Sequence, residues 1–268
     1  RTDSRALPED YLGTVQATLQ MFNGENLTKG SDTSVVDRYG IFANKILKSN
    51  WVLPNKRVFN NAKISDHFAI IPTLQAPKHL SEPEQKLYDM VVKRFLAVFY
   101  PAAEYLVTTR ITRVEQEPFK TEGKVLVNPG WLAVYGRAGQ EGEEGNLVAV
   151  EPGERVTAEE IVLNATETRP PARYSEATLL SAMEGAGKMV DDEELKAAME
   201  GRGLGTPATR AQIIENLIGE QYVHREGREL QPTAKAFSLM TLLNGLGVPE
   251  LTAPELTGEW EHKLARME

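Results

Sequence analysis

The sequence contains no cysteine and only four histidines among its 268 residues. The lack of thiols excludes a disulfide framework, a thiolate nucleophile and a zinc site with sulfur ligands within these residues. No apolar stretch approaches the roughly 20 residues that a membrane-spanning helix needs, and no segment resembles a signal peptide. We therefore expect a cytoplasmic protein that has no membrane partner.

Positive charge is also scarce. There are 30 lysine and arginine residues against 38 aspartate and glutamate residues, which gives a formal net charge of −8. Because phosphate contacts are made mainly by Lys and Arg, this balance argues against a dedicated nucleic-acid binder unless basic residues cluster locally. The apolar content of 41% is ordinary for a globular core, and the length allows two domains or one large one.

Residues 1–106 have the pattern of a helical domain. Apolar residues recur at spacings of three and four in two segments, first at Leu12, Val15, Leu19 and Phe22 and then at Leu87, Met90, Val91 and Phe95. In the second segment Ser81 can cap the helix and Pro83 suits its first turn. The sequence therefore predicts amphipathic helices here.

Residues 107–165 are predicted to be rich in β-structure. The run YLVTTRITRVEQEPF contains many Val, Ile and Thr residues and predicts one strand, and KVLVNPGWLAVYG supplies a second apolar run, broken at Asn128-Pro129-Gly130. The glycine-rich stretch GRAGQEGEEGN is interpreted as a solvated loop, because its acidic residues would repel a bound phosphate.

Residues 166–268 are predicted to form helices followed by a hairpin. Capping residues open three short helices at Ser175, at Asp191 or Asp192, and at Thr206. The stretch YVHREGRELQPT then predicts a hairpin that turns at Glu226-Gly227. This order suggests a winged helix-turn-helix. The predicted fold class is thus mixed α and β in several domains.

The stretch GRGLGTPATRAQII has the most specific local pattern. Its glycines allow a close backbone approach, Thr206 can be the N-cap, and Pro207 fits the first helical position. The amide groups at such a helix start can bind phosphate, and Arg202, Thr209 and Arg210 lie beside them. A capped helix that packs its isoleucines into a core explains the same residues, and both interpretations can hold together.

Two other stretches leave alternatives open. His67, in SDHFAIIPT, is either a structural histidine beside an apolar run or a group for proton transfer or phosphate contact. Arg173 and Tyr174, in ETRPPARYSEATLL, lie either in a proline-stiffened linker or on a basic, aromatic strip beside a nucleic-acid strand. The stretch GAGK is not a nucleotide-binding loop, because Ala182 and Met189 replace the required glycine and hydroxyl residue.

Four stretches together resemble the type IA DNA topoisomerases. In chain order they are RTDSRALP, SDHFAIIPT, TRPPARYSEATLLSAME and GRGLGTPATRAQIIENLIGEQYV. The first two of them resemble the topoisomerase III branch most closely. The later stretches LQPTAKAFSLMTLL and LTAPELTGEWEHKL match as well. The resemblance implies that this chain is part of a toroidal enzyme with three segments. Residues 1–106 would be a helical domain that carries the cleavage motif, residues 107–165 a β-rich gate segment, and residues 166–268 a winged-helix-like DNA-binding domain.

The resemblance also implies a reaction. Family members cut one DNA strand through a tyrosine hydroxyl, keep the 5′ end covalently bound, pass a strand through the gap and reseal it without ATP. Their tyrosine lies in a motif close to Tyr-Pro-Arg-Thr-Asp-Ser, so Arg1 matches the arginine of that motif. We expect this chain to start just after the tyrosine and to be inactive alone.

Several roles follow residue by residue from the resemblance. Arg1 would stabilise charge on the scissile phosphate, and His67 would contact phosphate or aid proton transfer. Thr209 would touch the DNA backbone in a groove lined by Arg202, Thr206, Arg210 and Arg173. Asp3 and Ser4 match the polar pair of the cleavage motif and are predicted to lie among the DNA-binding residues. We expect them chiefly to cap the following helix.

The resemblance implies Mg²⁺ in the parent enzyme, with ligands N-terminal to the tyrosine and none in this chain. It implies DNA, chiefly single-stranded, as the partner. The oligomeric state stays open, with a monomer expected. The chain departs from the family at Gly219-Glu220-Gln221, where basic residues are frequent. A non-catalytic DNA-binding or architectural module is the alternative function, and a topoisomerase module of a reverse gyrase is a third.

Overall fold

The computed structural model of the chain describes residues 2, 4–25, 27, 33–64, 67–136, 147–148, 150–200 and 202–267. The described residues form eight α-helices and four β-strands, which confirms the predicted mixed α and β class. Residues 4–165 form one compact unit, and residues 166–268 belong to a second. None of the described helices is long and apolar enough to cross a lipid bilayer.

Three helices surround the core of the first unit. They are α1 (Leu12–Phe22), α2 (Ser34–Lys48) and α3 (Glu82–Phe99). Leu19, Phe22, Ile46 and Leu96 are fully buried in this core, where each large side chain contributes about 1.5–3 kcal/mol relative to exposure. The predicted apolar face of α1 is confirmed for Val15, Leu19 and Phe22, because the spacing of three and four places them on one side.

The apolar face of α3 differs from the prediction. Leu87 and Met90 are each 59% exposed, while Val92, Phe95, Leu96 and Phe99 are buried. Leu87 and Met90 are on the exposed side of the first half of the helix, whereas Tyr88 of the same half packs against the core. The predicted start is confirmed, because the amide and hydroxyl of Ser81 both donate to the carboxylate of Glu84.

Two long strands, β1 (Glu104–Val114) and β2 (Glu117–Asn128), form an antiparallel ribbon. The prediction of one strand through YLVTTRITRVEQEPF is wrong near the end of this run, since Glu115 and Gln116 form a turn between two strands. Both have positive φ angles, of 48° and 73°, as a type I′ turn requires. Residues 130–135 form a 3₁₀ helix and not a strand.

The second unit begins with three short helices and a hairpin. These are α4 (Glu176–Glu184), α5 (Glu193–Ala198) and α6 (Arg210–Gly219), then β3 (Val223–Glu226) and β4 (Glu229–Pro232). The predicted caps Ser175 and Asp192 accept backbone N–H groups of the first turns. The hairpin is confirmed, with its turn at Gly227-Arg228, one residue later than predicted.

Two further helices complete the second unit, α7 (Ala234–Leu246) and α8 (Glu255–Ala265). A small core of Ala186, Val190 and Met199 lies beside α5, and Leu195 and Leu204 pack against it. Gly258 brings α8 close to α5, because a side chain there would lie 3.2 Å from Cβ of Leu195. The C-terminal helix is therefore packed directly on the element that precedes the glycine-rich loop.

Candidate functional site

Ser4 ties the N-terminal segment to a distant turn. Its hydroxyl donates to the carbonyl oxygen of Lys63 at 2.6 Å and accepts the amide of Ala6 at 3.0 Å. The side chain is buried, with 7% exposure. The prediction that Ser4 caps the following helix is wrong, because the first helical turn begins only at Glu9. The other predicted residues of this motif, Arg1 and Asp3, lie outside the described residues.

The segment after Ser4 runs beside the segment that contains His67. Leu7 donates to the carbonyl of Val58 at 2.7 Å and accepts the amide of Asn60 at 2.9 Å. Ala69 donates to the carbonyl of Ala6 at 2.8 Å. These bonds bring two of the predicted motifs together, although they are about sixty residues apart in sequence.

His67 is exposed at the edge of this pair of segments. The next residue, Phe68, packs against Tyr11 with ring centroids 4.7 Å apart. Since Tyr11 immediately precedes α1, this contact orients the backbone of the His67 segment against the start of that helix.

In the second unit, the glycine-rich loop before α6 is locked by its backbone. Gly203 has a φ angle of 67°, and a Cβ atom there would lie 2.3 Å from the carbonyl oxygen of Met183. The following amide, of Leu204, donates to that same carbonyl at 2.8 Å. Only glycine allows this approach, so the loop is fixed to the end of α4.

Arg210 holds the same loop from inside. It is 6% exposed, and its Nε donates to the carbonyl oxygen of Leu204 at 3.0 Å. A terminal nitrogen of the guanidinium donates to the carbonyl of Arg202. Arg210 therefore lies below the loop and binds its backbone, whereas the sequence predicts it as a direct DNA contact.

Thr206 and Thr209 are exposed and lie just before α6. The amide of Thr206 donates to Oγ1 of Thr209 at 2.9 Å, and the two hydroxyls are 3.1 Å apart. The carbonyl of Thr206 accepts the amides of Thr209 and Arg210, but α6 begins at Arg210 with Thr209 as its N-cap, so the prediction of Thr206 as the N-cap is wrong. The two predicted hydroxyl residues are thus adjacent, on the surface of a loop that Arg210 supports.

The remaining predicted cations have different surroundings. Arg202 forms an ion pair with Glu261 of α8. Arg173 is exposed just before α4, where the carbonyl of the adjacent Tyr174 accepts the amide of Leu230 from β4 at 2.7 Å. The chain before α4 therefore lies beside the hairpin.

Sequence reasoning missed two residues that organise this unit. Glu261 pairs with Arg202 across 59 residues, and Arg225 of β3 pairs with Glu176 of α4 and Glu215 of α6. The Glu176 and Glu215 carboxylates raise the pKa of Arg225 above its ordinary value. No local pattern marks such pairs, since surface charges at these separations meet only after folding.

Metal binding does not fit the described part of the chain. None of its His, Asp and Glu side chains gather in groups of three or more that could hold a metal ion. A Mg²⁺ site needs several oxygen ligands near one point.

Comparisons with known proteins cover nearly the whole chain. A family model described as DNA topoisomerase matches residues 1–268. DNA topoisomerase 3 of Bacillus cereus is 38% identical, over 98% of this chain and 35% of that protein, and DNA topoisomerase 3 of Bacillus subtilis (strain 168) is 38% identical, over 99% and 36%. The chain spans about a third of the length of these relatives.

A solved structure is similar in fold. It is the full-length topoisomerase I from Thermotoga maritima, with a TM-score of 0.52 and 20% identity, over 97% of this chain and 46% of that one. At this identity the similarity concerns the fold, whereas the family model and the two relatives concern the sequence along its whole length. The chain therefore belongs to the type IA DNA topoisomerases and resembles the members named DNA topoisomerase 3.

Proposed function

We propose that this chain is part of an enzyme that cleaves one DNA strand through a 5′-phosphotyrosyl intermediate, passes another strand through the gap and reseals the first. The covalent bond to tyrosine conserves the energy of the phosphodiester, so resealing needs no ATP. The DNA is chiefly single-stranded at the point of cleavage, and the enzyme acts as a monomer.

One observation supports this proposal most directly. The segment that follows Arg1 is hydrogen-bonded to the segment that contains His67, through Ser4 with Lys63 and Ala6 with Ala69. In the proposed reaction, Arg1 stabilises negative charge on the oxygens of the scissile phosphate. His67 contacts the same phosphate or aids proton transfer, since an imidazole can both donate and accept a proton.

We propose that residues 166–268 bind the DNA backbone as a winged-helix-like unit. The support is the surface of the loop before α6, where the hydroxyls of Thr206 and Thr209 lie 3.1 Å apart. Arg173 and Arg202 add cationic side chains. Asp3 and Ser4 belong to the cleavage motif. Arg210 acts here as a positioning residue, because its guanidinium binds the loop carbonyls.

The other two segments have proposed roles as well. Residues 1–106 form the helical domain that carries the cleavage motif, and residues 107–165 belong to the gate. Mg²⁺ serves the whole enzyme, with ligands outside the residues described here. Cleavage requires parts of the enzyme that this chain does not span, since it covers about a third of its relatives.

The test is cleavage of an end-labelled single-stranded oligonucleotide by the full-length enzyme, with the covalent DNA adduct trapped by denaturation. His67→Ala should slow adduct formation by about 100-fold, the lower range for loss of a proton-transfer group. Arg1→Ala should slow it as well. His79→Ala is the matched control, because His79 is an exposed histidine of the same unit, and it should cleave at the normal rate.

Equal rates for the His67 and His79 variants would contradict the role of His67. Failure of the unaltered full-length enzyme to form any adduct would contradict the reaction and favour the non-catalytic DNA-binding module. Adduct formation by the 268-residue chain alone would show that it needs no further part of the enzyme for cleavage.

A further inference from the structure

A cavity of about 140 Å³ lies in the first unit, between the end of α2, the end of α3 and the start of the 3₁₀ helix after β2. Lys45, Trp51 and Tyr100 form one side of it, and Pro129 and Gly130 form another. None of the described residues that line it is acidic. The cavity uses none of the residues of the cleavage motif or of the loop before α6.

The end of α2 turns Trp51 back over Lys45. Trp51 donates its amide to the carbonyl of Ile46 at 3.1 Å, and Asn50 donates to Leu47 at 3.1 Å. Asn50 has a φ angle of 50°, so these bonds form a Schellman motif with asparagine in the left-handed position. The helix cap therefore fixes the indole beside the last turn, where Lys45 lies.

The second aromatic wall comes from Tyr100, at the end of α3. Its ring is 8% exposed and meets the indole of Trp51 edge to face, with centroids 4.9 Å apart and an angle of 65°. Burial raises the pKa of the Tyr100 phenol above its ordinary value, so the ring stays neutral. The two aromatic rings form a corner, in which the cap of α2 positions Trp51 and the end of α3 positions Tyr100.

The floor of the cavity depends on Gly130. Its φ angle is 47°, and a Cβ atom there would lie 2.4 Å from the carbonyl oxygen of Ala102. The adjacent Trp131 donates its amide to the carbonyl of Pro101 at 3.0 Å, and Gly130 donates its own amide to Oδ1 of Asn128 at 3.1 Å. These contacts keep the loop at the edge of the aromatic corner.

Lys45 places a positive charge over the rings. Its Nζ lies 5.8 Å from the indole centroid of Trp51 and 5.9 Å from the ring centroid of Tyr100. Among the described carboxylates none lies within ion-pair distance of Lys45. Its three donors can therefore bind an anion while its charge remains close to the aromatic faces.

We propose that Lys45, Trp51 and Tyr100 form a binding site for one nucleotide unit of single-stranded DNA. The base packs against the aromatic corner and the adjoining phosphate binds the ammonium of Lys45. A cavity of about 150 Å³ holds a benzene-sized ring, so a six-membered base fits. Stacking on aromatic side chains beside a cation is the usual recognition of an unpaired strand. The proposal depends on the proposed function only in taking DNA as the ligand.

The test uses the tryptophan fluorescence of the 268-residue chain, in which Trp131→Phe and Trp260→Phe leave Trp51 as the single tryptophan. Binding of a fluorescently labelled oligothymidine is followed by anisotropy, and Trp51 emission is measured in the same titration. Oligothymidine should quench Trp51, and an abasic oligonucleotide of equal length should quench it far less, because stacking requires the base.

Variants then separate the two contacts. Trp51→Leu should weaken oligothymidine binding about 10-fold, within the range for loss of one stacked base. Lys45→Ala should weaken binding severalfold and Lys45→Arg should retain it. Lys48→Ala is the matched control, because Lys48 is an exposed lysine one turn further along α2 that does not line the cavity, and its affinity should be unchanged.

Normal anisotropy with unchanged Trp51 emission would overturn the proposed nucleotide site and leave the proposed function intact. Equal losses of affinity in the Lys45→Ala and Lys48→Ala variants would also overturn it, since they would indicate only general charge attraction. Conversely, quenching of Trp51 together with His67-independent cleavage by the full-length enzyme would support this site and contradict the proposed role of His67. The two proposals therefore fail separately.

Discussion

The guanidinium of Arg210 donates from Nε to the carbonyl oxygen of Leu204 at 3.0 Å, and the side chain is 6% exposed. A buried arginine at the start of a helix thus holds the backbone of the loop before it. This relationship explains how Thr206 and Thr209 are presented at the surface while the arginine beside them is not. It also makes Arg210 the most informative position for testing whether the loop is preformed.

Arg210→Lys should destabilise the second unit. A lysine cannot supply the fork of donors that reaches two carbonyls, and an unsatisfied buried carbonyl costs about 1–3 kcal/mol. Urea unfolding should show a loss of that size, together with weaker DNA binding. Arg228→Ala, in the exposed hairpin turn, is the control and should change the unfolding free energy by less than about 0.5 kcal/mol. Equal stability of the two variants would contradict the role of Arg210.

Gly203→Ala should be strongly destabilising. The new Cβ would lie 2.3 Å from the carbonyl oxygen of Met183, and the φ angle of 67° is itself unfavourable for alanine. A backbone forced out of such a position costs about 1–3 kcal/mol. Gly219→Ala is the control, because no atom lies within 4 Å of a Cβ atom there and the residue is helical. It should stabilise by about 0.4–1 kcal/mol in thermal unfolding.

Glu261→Gln should increase DNA affinity. Glu261 pairs with Arg202, so a neutral amide frees that cation for phosphate. Because the pair is partly exposed, the unfolding free energy should change by less than about 1 kcal/mol. A gain of a few fold in affinity should be measured at low salt by anisotropy and should shrink as salt is added. Glu259→Gln, which alters the separate pair with Lys263, should leave affinity unchanged. No gain from Glu261→Gln would indicate that Arg202 does not bind phosphate.

Alkaline pH should unfold the first unit. Burial, and then a hydrogen bond of 2.8 Å to Asp89, raise the pKa of Tyr39 from 10.0 to about 12, and burial raises the pKa of Tyr88 to about 12. Because the pKa values of these phenols are higher in the folded state than in the unfolded state, the neutral phenols stabilise the folded state fully below pH 10. This contribution to the free energy of unfolding is lost as the pH rises from 10 to 12. Urea midpoints measured across this range should fall.

The control for this pH dependence is Tyr39→Phe. Without the Tyr39 phenol the fall between pH 10 and 12 should be shallower, although Tyr88 still contributes. The hydroxyl of Tyr88 is buried and has no hydrogen-bond partner among the described residues, so Tyr88→Phe should be neutral or stabilising at pH 7. An unchanged pH profile in both variants would contradict the assignment.

Local features were predicted best. Ser81, Ser175 and Asp192 open helices as expected, because capping depends on residues within one turn. The hairpin of the second unit was found because glycine at its turn and alternating residues lie within ten positions. The turn at Glu115 and Gln116 was missed, because neither residue type favours the positive φ angles that it adopts.

Long-range features were not predictable. Ser4 is well suited to a helix cap by its type, yet it bonds to Lys63, and Arg210 has the sequence context of a phosphate ligand but lies below the loop. Leu87 and Met90 fit the periodicity of α3 but are each 59% exposed. In each case the hydrogen-bond partner or the burial of the side chain depends on elements that are distant in the sequence.

The sequence alone determined the helices with local caps, the mixed α and β class and the family, because these depend on short-range pattern and on the order of motifs. Only the tertiary structure decided which polar groups face solvent. It joined Ala6 to Ala69, buried Arg210 and brought Lys45, Trp51 and Tyr100 to one cavity. The physical reason is that burial and hydrogen-bond partners are set by packing between distant segments, which residue type and spacing do not specify.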